Sequence, residues 1–345
     1  MSTLPASDPS THLRPWLDPP QTGRSLDPSE GITPDDADMT ELVRDIEPEL
    51  GPLSLSRRWA TFTLVVLPFI GLAAAIVMLW HSPFHWVYLA LLVGFYMASG
   101  LAVTIGYHRL FTHRAFKAGP RTTYAIGALA SMAVQGPVIE WAAVHRRHHQ
   151  HSDDDRDPHS PHLHGEGLMA VVLGFWHAHV GWLFKPHFDG LAKYVPDLLK
   201  DPVITRVNRH YPYWIVIGLV LPAIIGGVAT TSWWGVLLGF VWGGLVRLAV
   251  VHHITWSVNS VCHIWGSRTY RSNDESRNNP IFGVLAFGEG WHNNHHAFPA
   301  SARHGLAWWQ FDLSYILIRA MQLVGLASDV KVPSRERQES KLRAR

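Results

Sequence analysis

The stretch from Gly288 to Pro299 reads Gly-Glu-Gly-Trp-His-Asn-Asn-His-His-Ala-Phe-Pro, and it carries imidazoles at His292, His295 and His296. On a helical turn His292 shares a face with both of the others, because residues three and four apart are neighbours. His295 and His296 are adjacent and point about 100° apart, so one short segment can reach two centres. Histidine is the commonest protein metal ligand, and imidazole suits iron, zinc, copper or nickel. Three further clusters have the same character: His108-Arg-Leu-Phe-Thr-His113, His145-Arg-Arg-His148-His149 and Asn259-Ser-Val-Cys-His263. A single ion uses about four to six ligands, so these nine imidazoles suit two ions better than one. A structural zinc site draws on cysteine, and Cys262 is the only one in the chain. Soluble di-iron bundles use Glu and Glu-x-x-His sets, which imidazole would replace here. Uncharged ligands leave such a centre strongly cationic, a setting that favours attraction and activation of dioxygen.

The elements that must hold these side chains are long and apolar. Residues 59–80 and 86–106 form one pair of runs, and 213–229 and 233–253 a second. Each run approaches the ~20 residues needed to cross ~30 Å of hydrocarbon. The links at 81–85 and 230–232 are short, so two antiparallel helical hairpins are expected. Trp59, Trp80, Trp86, Trp214, Trp233 and Trp234 fall near the expected ends, as an aromatic belt requires. Neither link contains Lys or Arg. The opposite ends are flanked by Arg57 and Arg58, by Arg109, Arg114 and Lys117, by Arg206 and Arg209, and by Arg268 and Arg271. Both termini, the middle section and all four histidine clusters are therefore expected in the cytoplasm. Because the clusters extend past the runs, the second and fourth helices must continue out of the membrane. Arg247, inside the fourth run, is expected to snorkel to the interface. Two shorter apolar segments, 124–139 and 167–184, are read as interfacial or buried helices, since crossing would carry the intervening histidines to the far side.

The ends of the chain differ from its centre. Residues 1–56 are rich in Pro, Asp, Ser and Thr and read as a disordered polar tail, with a short amphipathic piece at 39–46. No signal peptide is evident; residues 326–345 read as a charged C-terminal tail, of which 334–345 is expected to be solvated. One cysteine excludes an intrachain disulfide. There is no internal repeat, and no nucleic-acid partner is expected. No Gly-x-Gly-x-x-Gly turn and no His-Pro-Gly-Gly haem element is present, so electrons are expected from outside the chain.

Over roughly residues 58–325 the chain resembles the membrane fatty-acyl desaturases of the delta-9 type, the stearoyl-CoA desaturases and their bacterial and plant acyl-lipid or acyl-CoA relatives. The resemblance rests on the four histidine-bearing motifs and on Asp-Arg-Asp-Pro-His at 155–159, His179-Val-Gly-Trp182, Ser301-Ala-Arg-His-Gly-Leu306 and Trp308-Trp-Gln-Phe-Asp312. Related membrane hydroxylases usually have three residues between the first two histidines; this chain has four, from His108 to His113. The resemblance implies an all-α integral membrane protein, with four transmembrane helices in two hairpins and a cytosolic helical cap carrying a di-iron site. It implies oxygen-dependent insertion of a cis double bond, at the delta-9 position, into a long acyl chain held as acyl-CoA or acyl-lipid. By motif, His108, His113, His145, His149 and His296 would hold one iron. His148, His263, His292 and His295 would hold the other, with Asn259 acting through a water. The two irons (Fe2+/Fe3+) and O2 would do the chemistry, with no catalytic side chain beyond the ligands. The electron donor would be of cytochrome b5, ferredoxin or reductase type. The membrane would be the bacterial inner membrane or the endoplasmic reticulum. A related fatty-acyl hydroxylase is the rival enzyme, and a metal-transporting membrane protein the non-enzymatic alternative.

Other residues are assigned from spacing. His252, Trp256, Asn259 and His263 form one stripe of the fourth helix, with Trp256 either a wall of the acyl tunnel or a packing residue. His252 and His253 lie about 15 Å along the helix from His263, too far for the same metal, and are expected in hydrogen-bonded or interfacial roles. His151, His159, His162, His164, His177 and His179 are expected beside the centre or at the surface. Asp157 and Glu289 are candidates to orient ligating imidazoles through their free ring N–H. Arg109, Arg114, Lys117, Arg146, Arg147 and Arg156 form a basic set expected to dock an acidic donor or an anionic head group.

Overall fold

The computed structural model describes residues 54–81, 85–185 and 190–343, all within one compact unit. The polar stretch expected over 1–56, including the piece at 39–46, lies outside them up to residue 53; so do most of the first hairpin link and the side chain of Trp80. Among the described residues, four helices are long and apolar enough to cross a membrane. The first is α1 (Leu55–His81). The second is α2 (Trp86–Ala102), which continues as a wider π-helical stretch over Val103–Thr112. The architecture is that of an all-α membrane protein, and among the described residues the only sheet is a two-residue pair.

The cap begins with α3 (Pro120–Ser131), α4 (Val138–His151) and α5 (Leu168–His179). It continues with α6 (Pro202–Arg209), which leads into the third long helix, α7 (Tyr211–Thr230). The fourth runs through α8 (Trp233–Gly239), a π-helical stretch Phe240–Val246 and α9 (Arg247–Ile264). After it come α10 (His292–Ala297), α11 (Leu313–Leu323) and α12 (Arg335–Ser340). The second and fourth long helices span 27 and 32 residues. At ~1.5 Å per residue they are about 40 and 48 Å long, more than a hydrocarbon core of ~30 Å accommodates. Both therefore overrun the ends expected at 106 and 253, and the overrun carries histidines.

The two shorter apolar segments resolve differently. Residues 124–139 are not one helix: α3 ends at Ser131, and α4 starts after Pro137. Val134 at φ 55° and Gly136 at φ 99° make the break between them. That reversal aims α4 back across the bundle. The other segment holds α5, only 12 residues long, which packs against α9 through a 3.0 Å hydrogen bond between His179 Nδ1 and Ser260 Oγ. Leu168, Met169 and Trp176 on its outer face stay exposed.

Arg247 does not snorkel. Its guanidinium is buried and donates to the carbonyls of Gly243, Gly218 and Met132. Glycines at two of these positions leave the carbonyl open to a side chain, so the charge finds acceptors inside the bundle, where it ties α7 and α9 to the end of α3. The C-terminal stretch is not a free tail either. β1 (Lys117–Ala118) pairs antiparallel with β2 (Ala327–Ser328), and α12 follows, N-capped by Ser334.

The second hairpin is closed by small residues. A Cβ at Gly239 would drive into the carbonyl oxygen of Pro222, and one at Gly226 into that of Gly235. Such positions let helix backbones approach in lipid. Gly239→Val is expected to lower stability by on the order of 1–3 kcal/mol. Gly94→Ala, where an added methyl meets nothing within 4 Å, should leave it unchanged within about 1 kcal/mol. Thermal unfolding of the detergent-solubilised protein checks both; equal melting temperatures would refute the close-packed hairpin.

Candidate metal centre

Four elements deliver the nine histidines of the sequence motifs to one end of the bundle. His108 sits in the π-helical extension of α2, and His113 immediately follows it. The π geometry suits this place: the backbone bonds from His113 N to His108 O and from Ala115 N to Arg109 O skip five and six residues, re-aiming side chains that a regular helix would spread. His145, His148 and His149 lie on α4, His263 on the last turn of α9, and His292, His295 and His296 on α10.

The ring nitrogens converge on two points. His108, His113, His145, His149 and His295 form one group, and His148, His263, His292 and His296 the other. Within each, one nitrogen of every ring lies within 4.8 Å of the rest. On α4 the split follows spacing: His145 and His149, four apart, face the first point, and His148 the second. On α10 the assignment drawn from the family resemblance is reversed. His295 joins the first group and His296 the second, because His296 lies four residues from His292 on the same helical face. Asn259 lines the adjacent cavity with His292.

The spacing suits shared ions. His295 Nε2 is 3.0 Å from His108 Nε2 and 2.9 Å from His149 Nε2. His145 and His149 approach through Nε2 at 3.1 Å, as do His263 and His292. Two nitrogens each about 2.1 Å from one ion, at right angles, lie about 3.0 Å apart. A ring nitrogen carries one proton or one lone pair, so His295 Nε2 cannot satisfy both neighbours by hydrogen bonding. His148 Nε2 and His296 Nε2 are buried without a hydrogen-bond partner. Burial, reinforced by the neighbouring imidazoles, holds His145, His149, His292 and His295 well below the usual histidine range. These four rings are therefore held neutral, as ligands must be. Residues and geometry fit a pair of metal ions.

The opposite ring edges are held by acids. Asp157 accepts His148 Nδ1 at 3.0 Å through both oxygens, and Asp153 accepts His263 Nδ1 at 3.0 Å. Asp274 accepts His296 Nδ1 at 2.7 Å. Glu289 lies 2.7 Å from His108 Nδ1 and 3.3 Å from His304 Nδ1. Burial alone would raise these four carboxyls. The imidazoles and hydrogen bonds on Asp153, Asp157 and Asp274, and chiefly the Arg109 guanidinium on Glu289, hold them below the usual carboxylate range. The expectation of a strongly cationic centre is thus corrected: four carboxylates stand behind it.

Asp157 and Glu289 were legible as orienting acids; Asp153, Asp274 and His304 were not. His304 is buried, with its ring 4.4 Å from that of His295, and groups with His108 and Glu289. Burial lowers it to about 4. His159 packs 4.4 Å from the His148 ring beside Asp157, and burial lowers it to about 3. Asn293 and Asn294 fix α10 itself. Asn293 bonds both backbone groups of Tyr270, and Asn294 bonds Asn278, His304 O and Gln310.

Two members of the expected basic face, Arg109 and Arg146, are internal, while Lys117 and Arg156 stay exposed. Arg109 is buried against Glu289 and Asp312. Arg146 is buried against Asp197 and the carbonyls of Phe111, Thr112 and Tyr194. Arg114, Lys117 and Arg156 pair with Asp197, Asp329 and Asp154. His253 Nδ1 meets His179 Nε2 at 2.9 Å, and His252 Nε2 donates to Ala133 O at 2.8 Å, so both have hydrogen-bonded roles. Trp256 is buried and lines the cavity described below.

Comparison with known proteins agrees in type. The profile of the family described as fatty acid desaturase matches residues 83–322, ending before the C-terminal segment. The chain is 45% identical over 278 residues to a hex-5-enoyl-acyl-carrier-protein acetylenase of Moorena producens (strain JHB), covering 80% of this chain and 87% of that one. It is 40% identical to delta-9 acyl-lipid desaturase 1 of Arabidopsis thaliana, over 73% of this chain and 79% of the relative. It is also 40% identical to the sn-1 stearoyl-lipid 9-desaturase of Anabaena variabilis, over 74% and 88%.

Carboxylates that fix ligating imidazoles typically contribute about 10–100-fold in metal affinity. Asp274→Asn and Asp157→Asn should each weaken metal retention by that order, measured as metal per polypeptide after dialysis against graded chelator. Retention equal to the parent in both variants would refute the orienting role.

Proposed function

The chain belongs to the fatty acid desaturase family and is a fatty-acyl desaturase, and from that premise we propose that it inserts a cis double bond at the delta-9 position of a long acyl chain, using two irons and dioxygen. His108, His113, His145, His149 and His295 would hold one iron, and His148, His263, His292 and His296 the other. Asn259 would act through a water. Bound iron would supply dioxygen activation, with two electrons from an external donor. The two vicinal hydrogens, two protons from solvent and the dioxygen would leave as two waters. All other selectivity is the chain's own work.

One observation carries this reading. A cavity of 740 Å³ is walled by His108, His145 and His292 at the donor groups and continues between the long helices along Leu67, Leu219 and Leu248. Its size is that of a ligand pocket. Identical methylenes can be told apart only by holding the chain in one geometry. Beside the donors the cavity wall carries a polar bridge: Trp141 Nε1 donates to Gln135 at 3.4 Å, and Gln135 Nε2 to Thr255 Oγ1 at 2.9 Å. Trp256 forms the neighbouring wall. These side chains would bend the acyl chain where it passes the centre.

The donor nitrogens gather at one end of the bundle and do not string along the helices, which supports an enzyme over a metal transporter. That end carries Arg57, Arg206, Arg209, Arg268 and Arg271, whereas neither hairpin link has a Lys or Arg. The centre and both termini are therefore proposed to face the cytoplasm. Two relatives are named for acyl-lipid substrates. Trp59, exposed on the first turns of α1, also lines the cavity. An acyl-lipid is accordingly the proposed carrier, with acyl-CoA the alternative. The donor would be of cytochrome b5, ferredoxin or reductase type.

Expression in a host lacking its own desaturase should yield a new cis monoene with its double bond at carbon 9, by gas chromatography–mass spectrometry. His295→Ala should abolish it together with metal binding. A hydroxylated or acetylenic product without a new alkene would overturn the proposal. Thr255→Leu, which breaks the polar bridge, should cut turnover about 10–100-fold or spread the double-bond position. A parent-like product profile and rate would remove the bridge from the mechanism.

A further inference from the structure

We propose that the C-terminal segment 327–343 is a strap that positions the metal centre from outside, with Lys341 and Lys331 as its positioning residues. The inference rests on the reading of the nine histidines as a metal centre. It does not touch the ligand set, and it assigns work to a stretch whose composition suggests only a solvated tail.

The strap is attached at each flank of the centre. Its first contact is the β1–β2 pair, which joins Lys117 to Ser328 and Ala118 to Ala327, just beyond His113. Lys331 then binds three ways. Its N–H donates to Ala115 O at 2.9 Å, and its carbonyl accepts Ala302 N at 2.8 Å. Its ammonium donates to Arg114 O at 2.8 Å. Arg114 sits at φ 49°, a left-handed conformation that persists in a non-glycine residue only where the surroundings impose it. Lys331 thus holds the residues that follow His113 against those that precede His304.

The second attachment is at α10. This helix has six residues, too few to hold by itself, and its last carbonyls have no intrahelical partners. Lys341 Nζ donates to Ala297 O at 2.7 Å and lies 5.3 Å from the Phe298 ring. A cation there both caps the helix and complements its dipole. The strap backbone also engages the loop that leads to Asp274. Arg271 N donates to Lys341 O at 2.7 Å, and Arg343 N to Thr269 O at 3.1 Å. Tyr270, between them, is the residue whose backbone Asn293 clasps, and Asp274 carries His296. One strap therefore braces the turn bearing His295 and His296, the acid behind His296, and the chain after His113.

The test compares the full chain with a truncation ending at Leu326, with Lys341→Met and with Lys341→Arg, all in detergent micelles. Amide hydrogen exchange is read first, on metal-free protein. Exchange at 292–298 and 114–117 should rise about tenfold or more in the truncation. It should rise at 292–298 alone in Lys341→Met and stay at the parent level in Lys341→Arg. Iron-loaded protein is then challenged with a ferrous chelator. Release should be about tenfold faster in the truncation and in Lys341→Met, with Lys341→Arg at the parent rate. Unchanged exchange at 292–298, or faster exchange with an unchanged release rate, overturns the proposal. If the truncation does not accumulate, the Lys341 pair decides: equal exchange and release in Met and Arg variants overturns it. A full-length chain that binds no iron would sink the metal reading, while exchange would still report whether the strap holds α10.

Discussion

Two divalent ions ringed by neutral imidazole would leave about four positive charges inside a protein, and much of the cap is arranged to balance them. Asp153, Asp157, Asp274 and Glu289 each stand on the far edge of a converging imidazole. Buried carboxylates are themselves costly unless they are hydrogen-bonded, and each is. Asp153 accepts Glu275 N and Ser160 Oγ. Asp157 accepts the N–H groups of Asp153 and His159. Asp274 accepts Ser272, Ser276 and its backbone N–H. Glu289 takes Arg109. The acids come from the loops after α4, after α9 and before α10, so these three loops cannot vary independently of the histidines they serve.

The same constraint explains where the buried arginines go. Arg109 joins Glu289 to Asp312, and Asp312 also accepts His304 N and caps α11 through Tyr315 N. The chain approaches this pair closely at Gly288, whose φ of 114° and lack of a Cβ keep clear of the Asp312 carboxylate. Arg146 performs the matching task on α4, joining Asp197 to the carbonyls that end the α2 extension. A guanidinium with five fixed donors can hold a carboxylate and several carbonyls together. That makes it a better internal anchor than a docking charge.

The membrane part answers a different requirement. The long helices must deliver His108 and His263 beyond the hydrocarbon while leaving a slot between them. Overrun length supplies the first, and the π-helical stretches in α2 and before α9 re-aim side chains along the way. Glycines seal the second hairpin near its link, and the cavity is lined by residues of all four long helices.

Local periodicity and composition determined a good deal. Four apolar runs gave four helices, because a hydrocarbon-length run is its own signal. Spacing on a single helix separated His148 from His145 and His149, since helical phase is a local property. His295 and His296 show its limit: only the fold decided which faces which point, through the direction from which α10 enters. The fates of Arg109, Arg146 and Arg247 were equally invisible, because a charge in sequence looks the same whether it meets water or buried carbonyls. Asp153 and Asp274 sit in polar loops that carry no periodicity, and each finds its histidine across more than twenty residues. The C-terminal strap has the composition of a solvated tail. It becomes structure only because carbonyls at Arg114, Ala297 and Thr269 await donors, and such long-range pairing lies in the tertiary fold and not in any local stretch of chain.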